Sequence, residues 1–191
     1  MPAVLPPASR RPLHRRALDV QVFAREDGLF DVEARLTDTK AHDVTLAGSL
    51  RRAGDPVHEM RLLLTVDATL TIHAASSETR WMPYPGACDA HGNAYARLVG
   101  LNLMQGFRQA VQERLAGTRG CTHLTELCLV LPTAVLQAMA GSIIDTREGD
   151  ADGQPPFQLD RCHALRRDGP TVAAFYPRWH LATPASTTTV S

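Results

Sequence analysis

Three of the four cysteines lie where a thiolate could bind a metal ion or attack a substrate. Cys88 follows a segment rich in proline and glycine, and Cys121 lies at the predicted start of a helix. Cys162 precedes His163 directly, and His123 lies two residues after Cys121. Thiolate sulfur and imidazole nitrogen are the ligands that soft and borderline metals prefer. These residue types therefore predict a metal or iron–sulfur site.

The predicted site combines thiols that bind the cofactor with an imidazole that completes the ligand set. The sequence contains neither a Cys-x-x-Cys nor a His-x-x-x-His motif, so the prediction depends on residue type and not on a ligand pattern. The expected cofactor is an iron–sulfur cluster or zinc. The predicted metal ligands are Cys88, Cys121, His123 and Cys162, and the carboxylates expected to orient them are Asp55, Asp89 and Glu126.

The second interpretation is nucleophilic catalysis by Cys121. A thiol at the first turn of a helix lies near unpaired backbone N–H groups and the positive end of the helix dipole, which favour the thiolate. His123 or His163 would act as its base, and Glu126 or Asp160 would orient that base. The protein would then be a thiol-dependent hydrolase or transferase with Cys121 and His123 as catalytic residues.

Each candidate residue also has a structural interpretation. Cys121 could be a small apolar residue that closes the preceding turn, and Cys88 a buried loop thiol. Adjacent side chains point apart in a strand, so only one of Cys162 and His163 would face a site. Cys128 lies in an apolar run and is predicted to be a core residue. Three further histidines are predicted to lie on the surface: His58, His73 and His91.

A third function class is a binding module for a small apolar or aromatic ligand. The cysteines would then only line the pocket, and ligand binding would not depend on a metal. Aromatic side chains would form most of the pocket wall. The candidates are Trp81, Tyr84, Phe107, Phe175 and Trp179.

The composition argues against several classes of partner. The 191 residues include 20 basic and 20 acidic side chains, so there is no electrostatic reason to expect nucleic acid or a membrane surface. No run approaches the roughly 20 apolar residues of a membrane span. The basic residues near the start follow an apolar stretch, the reverse of a signal peptide. We expect a cytoplasmic protein whose partner is a protein that exchanges the metal or cluster, or a second copy in a homodimer.

One α+β domain is predicted to position these residues. A hydrophobic content of 44% is sufficient for a core without disulfide bonds. Both ends differ from the middle in composition, with proline and arginine at the start and serine and threonine at the finish. The predicted organisation is an extended arm over residues 1–16, the domain over 17–180 and a disordered tail over 181–191.

Strand patterns precede helix patterns along this domain. Alternating apolar residues predict one antiparallel hairpin over 17–38 and a second over 57–76. Helical spacing follows over 93–116, where two glycines can break the helix, and over 121–140, where Pro132 can kink or split it. The order predicts an antiparallel sheet of three to five strands with helices packed on one face.

Several segments resemble those of an uncharacterised bacterial family of unknown function. The resemblance covers residues 15–179 and implies that these segments belong together, but it brings no established activity. The segments are residues 31–40, residues 120–124 (Gly-Cys-Thr-His-Leu), and residues 168–169 with 176–179.

The chain also resembles, more distantly, the iron–sulfur scaffold proteins of the IscU/NifU type. The resemblance is carried by residues 53–55 (Ala-Gly-Asp), the strand pair over 60–75, Cys88 and the stretch 155–162. It implies a similar fold and cluster ligands at Cys88 and Cys162. Ala53 stands where those proteins have their first cysteine, and Cys121 and His123 match no scaffold position.

Overall fold

The computed structural model of the protein describes residues 8–150 and 152–181. The predicted tail beyond residue 181 and the first seven residues of the predicted arm lie outside the described residues. By its contacts the chain divides into two compact units, Met1–Ala138 and Met139–Ser191, and each is described by itself. A single domain over the whole central region stays a prediction.

The first unit is an α+β structure with a four-stranded antiparallel sheet and a small two-stranded sheet. The strands are β1 (His14–Ala24), β2 (Phe30–Lys40), β3 (Val44–Leu46), β4 (Ser49–Arg51), β5 (Pro56–Val66) and β6 (Ile72–Trp81). The order in the larger sheet is β1-β2-β5-β6, so both predicted hairpins are confirmed. β1 begins inside the predicted arm, because His14 to Arg16 pair with the end of β2.

One face of the larger sheet is buried because apolar residues alternate along its strands. On β2 these residues are Phe30, Val32, Ala34 and Leu36, and on β5 they are Met60, Leu62, Leu64 and Val66. The same alternation continues to Asp38 on β2 and to His58 on β5. The register pairs Asp38 with Arg16 of β1 on one side and with His58 on the other. Three polar residues therefore form a row across three strands at one end of the apolar face.

The helices after the sheet are short. They are a 3-10 helix (Ala94–Leu98), α1 (Phe107–Leu115), a second 3-10 helix (Gly117–Arg119), α2 (Thr122–Cys128) and α3 (Leu131–Met139). The predicted helix over 93–116 is two pieces, because Gly100 and Gly106 have positive φ angles of 81° and 62°. The predicted helix over 121–140 is also split, because Pro132 is tolerated only in the first turn of α3.

α2 packs on the buried face of the sheet, where it contacts β2 and β5. Its residues Leu124, Leu127 and Cys128 have no solvent exposure. Burial raises the pKa of the Cys128 thiol to about 12. The prediction that Cys128 is a core residue is confirmed. This packing fixes the start of α2, and with it Cys121, above the polar end of the sheet.

The second unit consists of turns and short helices in its described residues. The helices are a 3-10 helix (His163–Leu165), α4 (Pro170–Phe175) and a 3-10 helix (Pro177–Trp179). Leu159 and Val172 are its buried apolar side chains beyond Met139. In the part of the chain that the structure describes, no helix has both the length and the apolar character needed to cross a membrane.

Candidate functional site

Asp38 is the central charged group at the polar end of the sheet. Its side chain is 2% exposed and forms a two-pronged ion pair with Arg16, with Nε–Oδ1 and Nη2–Oδ2 distances of 2.8 Å each. His14 Nε2 lies 3.1 Å from Oδ1. Burial alone would raise the pKa of Asp38, but the hydrogen bonds and charge of Arg16, together with His58, lower it to about 2. Asp38 is therefore a buried carboxylate that remains ionised.

Two imidazole rings lie beside this carboxylate. His58 Nδ1 is 3.1 Å from Asp38 Oδ2, and His123 Nε2 is 3.7 Å from the same oxygen. Since an ionised carboxylate only accepts hydrogen bonds, His58 Nδ1 carries the proton and Nε2 keeps its lone pair. The centroids of the two rings are 4.0 Å apart, and the ring planes are tilted by 34°. Burial is the main cause that lowers the pKa of both histidines, which favours neutral rings with free lone pairs.

Cys121 lies on the other side of the His123 ring. Its Sγ is 3.8 Å from His123 Nδ1 and 3.8 Å from Met60 Sδ. The Tyr95 hydroxyl holds the Cys121 backbone: it donates to the carbonyl at 2.8 Å and accepts from the N–H at 3.1 Å. A Cβ at Gly120 would lie 2.9 Å from a backbone oxygen and 3.0 Å from that hydroxyl. Glycine at position 120 thus allows the close approach that positions the thiol.

One cavity of about 440 Å³, which we call the donor cavity, is lined by His58, Met60, Cys121 and His123. Its other lining residues are one cysteine, one histidine, alanine, glycine and threonine, so every strong ligand group in its wall is a sulfur or an imidazole nitrogen. The groups come from strand β5, the loop after β6 and the start of α2. They belong to His58, Met60, Cys88, His91, Cys121 and His123.

The structure brings together three of the four predicted metal ligands, since Cys88, Cys121 and His123 all line the donor cavity. Cys88 is half-buried in a loop, where its N–H donates to the Tyr84 carbonyl at 2.8 Å. Cys162 belongs to the second unit, where it is exposed. The full set of four ligands stays a prediction.

Among the described residues, one group of three ligand atoms lies within 4.8 Å of one another: Asp38, His58 and His123. Both Asp38 oxygens already accept hydrogen bonds from Arg16. A metal ion bound directly to them would face a permanent positive charge at short range, which opposes binding. Asp38 is therefore better suited to orienting the imidazoles than to ligating an ion.

Two of the three predicted orienting carboxylates accept hydrogen bonds from local turns, and the third pairs with Arg16. Asp55 accepts from the Arg52 N–H at 3.1 Å and Asp89 from the Gly86 N–H at 2.7 Å, so both stabilise local turns. Glu126 pairs with Arg16, the same guanidinium that holds Asp38. Asp38, Arg16 and Met60 were not among the residues predicted for the site.

The prediction that His58 lies on the surface was wrong. Its side chain is 17% exposed and lies on the apolar face, because it is two residues before Met60 on the same strand. His73 is 51% exposed, as predicted. His91 lines the donor cavity and its Nε2 is a buried atom with no hydrogen-bond partner.

The aromatic residues proposed for a ligand pocket are distributed differently. Phe107 is 2% exposed and belongs to the core of the first unit. Trp81 and Tyr84 are exposed, and the Arg51 guanidinium lies over the Trp81 ring. Phe175 and Trp179 belong to the second unit. With Phe107 in the core and Tyr84 exposed, these positions give no support to an aromatic pocket in the first unit.

A family model described as a protein of unknown function (DUF2889) matches residues 14–137. The chain belongs to this DUF2889 family. The matched region begins with β1 and includes every residue that lines the donor cavity, whereas Cys162 and the predicted segments after residue 137 lie beyond it. Searches of curated proteins and of solved structures gave no significant match, so they add no support for the IscU/NifU resemblance.

Proposed function

We propose that this protein binds a transition-metal ion in the donor cavity, through Cys121 Sγ and His123 Nδ1. The observation that carries the proposal is their separation of 3.8 Å. Tetrahedral zinc with metal–sulfur bonds of about 2.3 Å and metal–nitrogen bonds of about 2.0 Å requires a sulfur–nitrogen separation of about 3.5 Å. The two ligand atoms are therefore spaced as a shared ion would need them.

The surroundings of the two ligands support this role. His58 offers the free lone pair of Nε2 from the same cavity, and Cys88 offers a second thiol. The lowered pKa of His58 and His123, caused mainly by burial, keeps the rings neutral, which is the form that ligates. Asp38 and Arg16 fix the ring positions. A neutral, oriented pair of imidazoles beside a thiol reduces the reorganisation that metal binding requires.

The ligand types also bear on the cofactor. Two thiols and two or more imidazoles resemble the Cys₂His₂ composition of zinc sites, whereas iron–sulfur clusters are usually held by four cysteines. A cluster in this protein would need more thiols than Cys88 and Cys121 supply. The four cysteines are free thiols, which supports a reducing compartment such as the cytoplasm. There the protein would carry metal for exchange with a partner protein.

The test is elemental analysis after purification without oxygen and without a histidine tag, together with an absorption spectrum. We expect stoichiometric metal in the unmodified protein and none in Cys121→Ser. Cys128→Ala is the matched control, because it removes a buried thiol outside the donor cavity. Iron with sulfide, lost in Cys162→Ser, would identify a cluster. An unmodified protein that holds no metal and takes up none would contradict the proposal.

The second candidate function is a thiol-dependent enzyme. It is favoured by the position of His123 between Cys121 and Asp38. Cys121 Sγ lies 3.8 Å from His123 Nδ1, and the other ring nitrogen, Nε2, lies 3.7 Å from Asp38 Oδ2. This is the order of nucleophile, base and orienting carboxylate in a catalytic triad. The test is the rate of iodoacetamide alkylation at each cysteine between pH 5 and 9, mapped by mass spectrometry. A single cysteine, Cys121, that reacts rapidly at pH 6 would support an enzyme, and an ordinary thiol profile would contradict it.

A further inference from the structure

The donor cavity contains a third sulfur atom, which a zinc site does not need. Met60 is 1% exposed, and its thioether Sδ lies 3.8 Å from Cys121 Sγ. Zinc takes thiolate, imidazole and carboxylate ligands, whereas a thioether together with a thiolate is a donor set that selects copper(I). The identity of the third sulfur therefore bears on which metal the cavity selects.

Two pairs of residues face each other across the donor cavity. His58 and Met60 are two residues apart on β5, so their side chains share the buried face of the sheet. Cys121 and His123 are also two residues apart, at the start of α2. All four side chains line the cavity, and the His58 and His123 rings are 4.0 Å apart. Each element thus contributes one sulfur and one imidazole.

The distances suit a three-coordinate ion. Cys121 Sγ is 3.8 Å from both Met60 Sδ and His123 Nδ1. With metal–sulfur bonds of about 2.3 Å and metal–nitrogen bonds of about 2.0 Å, trigonal ligation requires separations of about 3.7–4.0 Å. Both separations measured from Cys121 Sγ meet this requirement.

The charge of the cavity favours a monovalent ion. Among the described residues that line it there is no carboxylate. The nearby Asp38 is already paired with Arg16, so its charge is not available to balance a metal. One thiolate would neutralise one copper(I) ion, and binding would release the thiol proton. A divalent ion bound by Cys121 as its single thiolate would leave a net positive charge beside the guanidinium, and balancing it would require the second thiol of the cavity, Cys88.

We propose that the donor cavity binds copper(I) through Cys121 Sγ, Met60 Sδ and His123 Nδ1. This inference rests on the proposed metal-binding function and names its metal. It assigns a ligand role to a methionine that would otherwise be only a core residue. The thioether is the ligand that would give the site a higher affinity for copper(I) than for zinc.

The experiment titrates the full-length protein, without oxygen or a histidine tag, with copper(I) and with zinc in parallel against a coloured chelator for each metal. We expect one copper(I) per chain. Met60→Leu should lower the copper(I) affinity at least tenfold and change the zinc affinity less than twofold. Leucine conserves the volume of methionine, so the core should remain packed. Met139→Leu, at a buried methionine outside the cavity, is the matched control.

X-ray absorption of the unmodified copper(I) protein provides a second measurement that does not depend on a variant. Two sulfur neighbours of copper, falling to one in Met60→Leu, would support the assignment. Zinc binding with no Met60→Leu effect on either metal, or one sulfur at copper, would overturn the copper assignment but not the metal site. Failure to bind either metal would overturn the proposed function as well.

Discussion

The larger sheet contains two aspartate–histidine pairs with similar nitrogen–oxygen distances. Asp67 Oδ2 is 2.7 Å from His73 Nε2, and Asp38 Oδ2 is 3.1 Å from His58 Nδ1. The first pair spans the turn between β5 and β6, and His73 is 51% exposed. The second joins β2 to β5 under α2, and Asp38 is 2% exposed. Distance alone would rank the exposed pair as the stronger site.

The partners of each carboxylate separate the two pairs. Asp67 accepts from the backbone N–H groups of Thr69 and Thr71 and from the Thr69 hydroxyl, all within four residues along the chain. It is a turn-stabilising residue. Asp38 accepts from Arg16, His14 and His58, each at least 20 residues away. A carboxylate whose partners come from several elements, and which leaves imidazole lone pairs facing a cavity, is organised for binding.

Asp38→Asn should give the largest effect on stability. The change leaves the Arg16 guanidinium, which is one-third exposed, without its buried partner. Loss of one member of a buried ion pair typically costs 3–5 kcal/mol, so we expect the free energy of unfolding to fall by about 3 kcal/mol. Urea unfolding followed by circular dichroism measures it. A change below about 1 kcal/mol would show that the row across three strands does not hold the sheet together.

His58→Asn should separate the two pairs by function. Removing the imidazole that lies against the His123 ring should lower metal affinity about 10- to 100-fold, the usual effect of a residue that orients a ligand. His73→Asn is the matched control: it removes a strand histidine with the same type of partner and should leave affinity unchanged. Chelator competition on both variants measures the difference. Equal affinities in the two variants would show that His58 does not position the metal ligands.

The residues at the polar end of the sheet could in part have been found from the sequence. The alternation Phe30, Val32, Ala34 and Leu36 reaches Asp38 at the next step, and the alternation through Met60 reaches His58 one step earlier. A charged residue and a histidine at core-facing positions are exceptions to the apolar pattern. Strand periodicity therefore marked both residues, although surface positions are the commoner place for histidine.

The distances within the site could not have been predicted in this way. The alternation does not say that β2 pairs with β5 in the register that sets Asp38 beside His58. The contact of Cys121 with Met60 depends on Tyr95 and Gly120, which fix the start of α2 against the sheet. Those contacts link residues far apart in the chain. Sequence spacing therefore identified Cys121 and His123 as a local pair but not the groups that face them.

Asp67→Asn should have a smaller effect than Asp38→Asn. The carboxylate accepts hydrogen bonds from a turn in which Leu70 has a positive φ of 69°, an unfavourable angle for leucine. All three hydrogen bonds from this turn go to Oδ1, which an asparagine oxygen can replace as a weaker acceptor, while the charged partner of His73 at Oδ2 is lost. We therefore expect a loss of about 1 kcal/mol in the free energy of unfolding. Metal affinity should not change. A loss as large as that of Asp38→Asn would mean that the turn is as important to stability as the row of Arg16, Asp38 and His58.

The smallest expected effect is the pH dependence of the difference in unfolding free energy between wild type and Asp67→Asn. Burial raises the pKa of Asp67, but hydrogen bonds from Thr69, His73 and Thr71 outweigh it and hold the pKa well below its usual range. Since the folded pKa is below the unfolded value of about 3.9, the stabilising contribution is complete above that pH and is lost as the pH falls further. The stability difference between wild type and Asp67→Asn should still be present at about pH 5 and should shrink as the pH falls toward 2. Urea unfolding of both proteins across this range measures it, and a difference that stays constant down to pH 2 would show that the turn does not depend on the charge of Asp67.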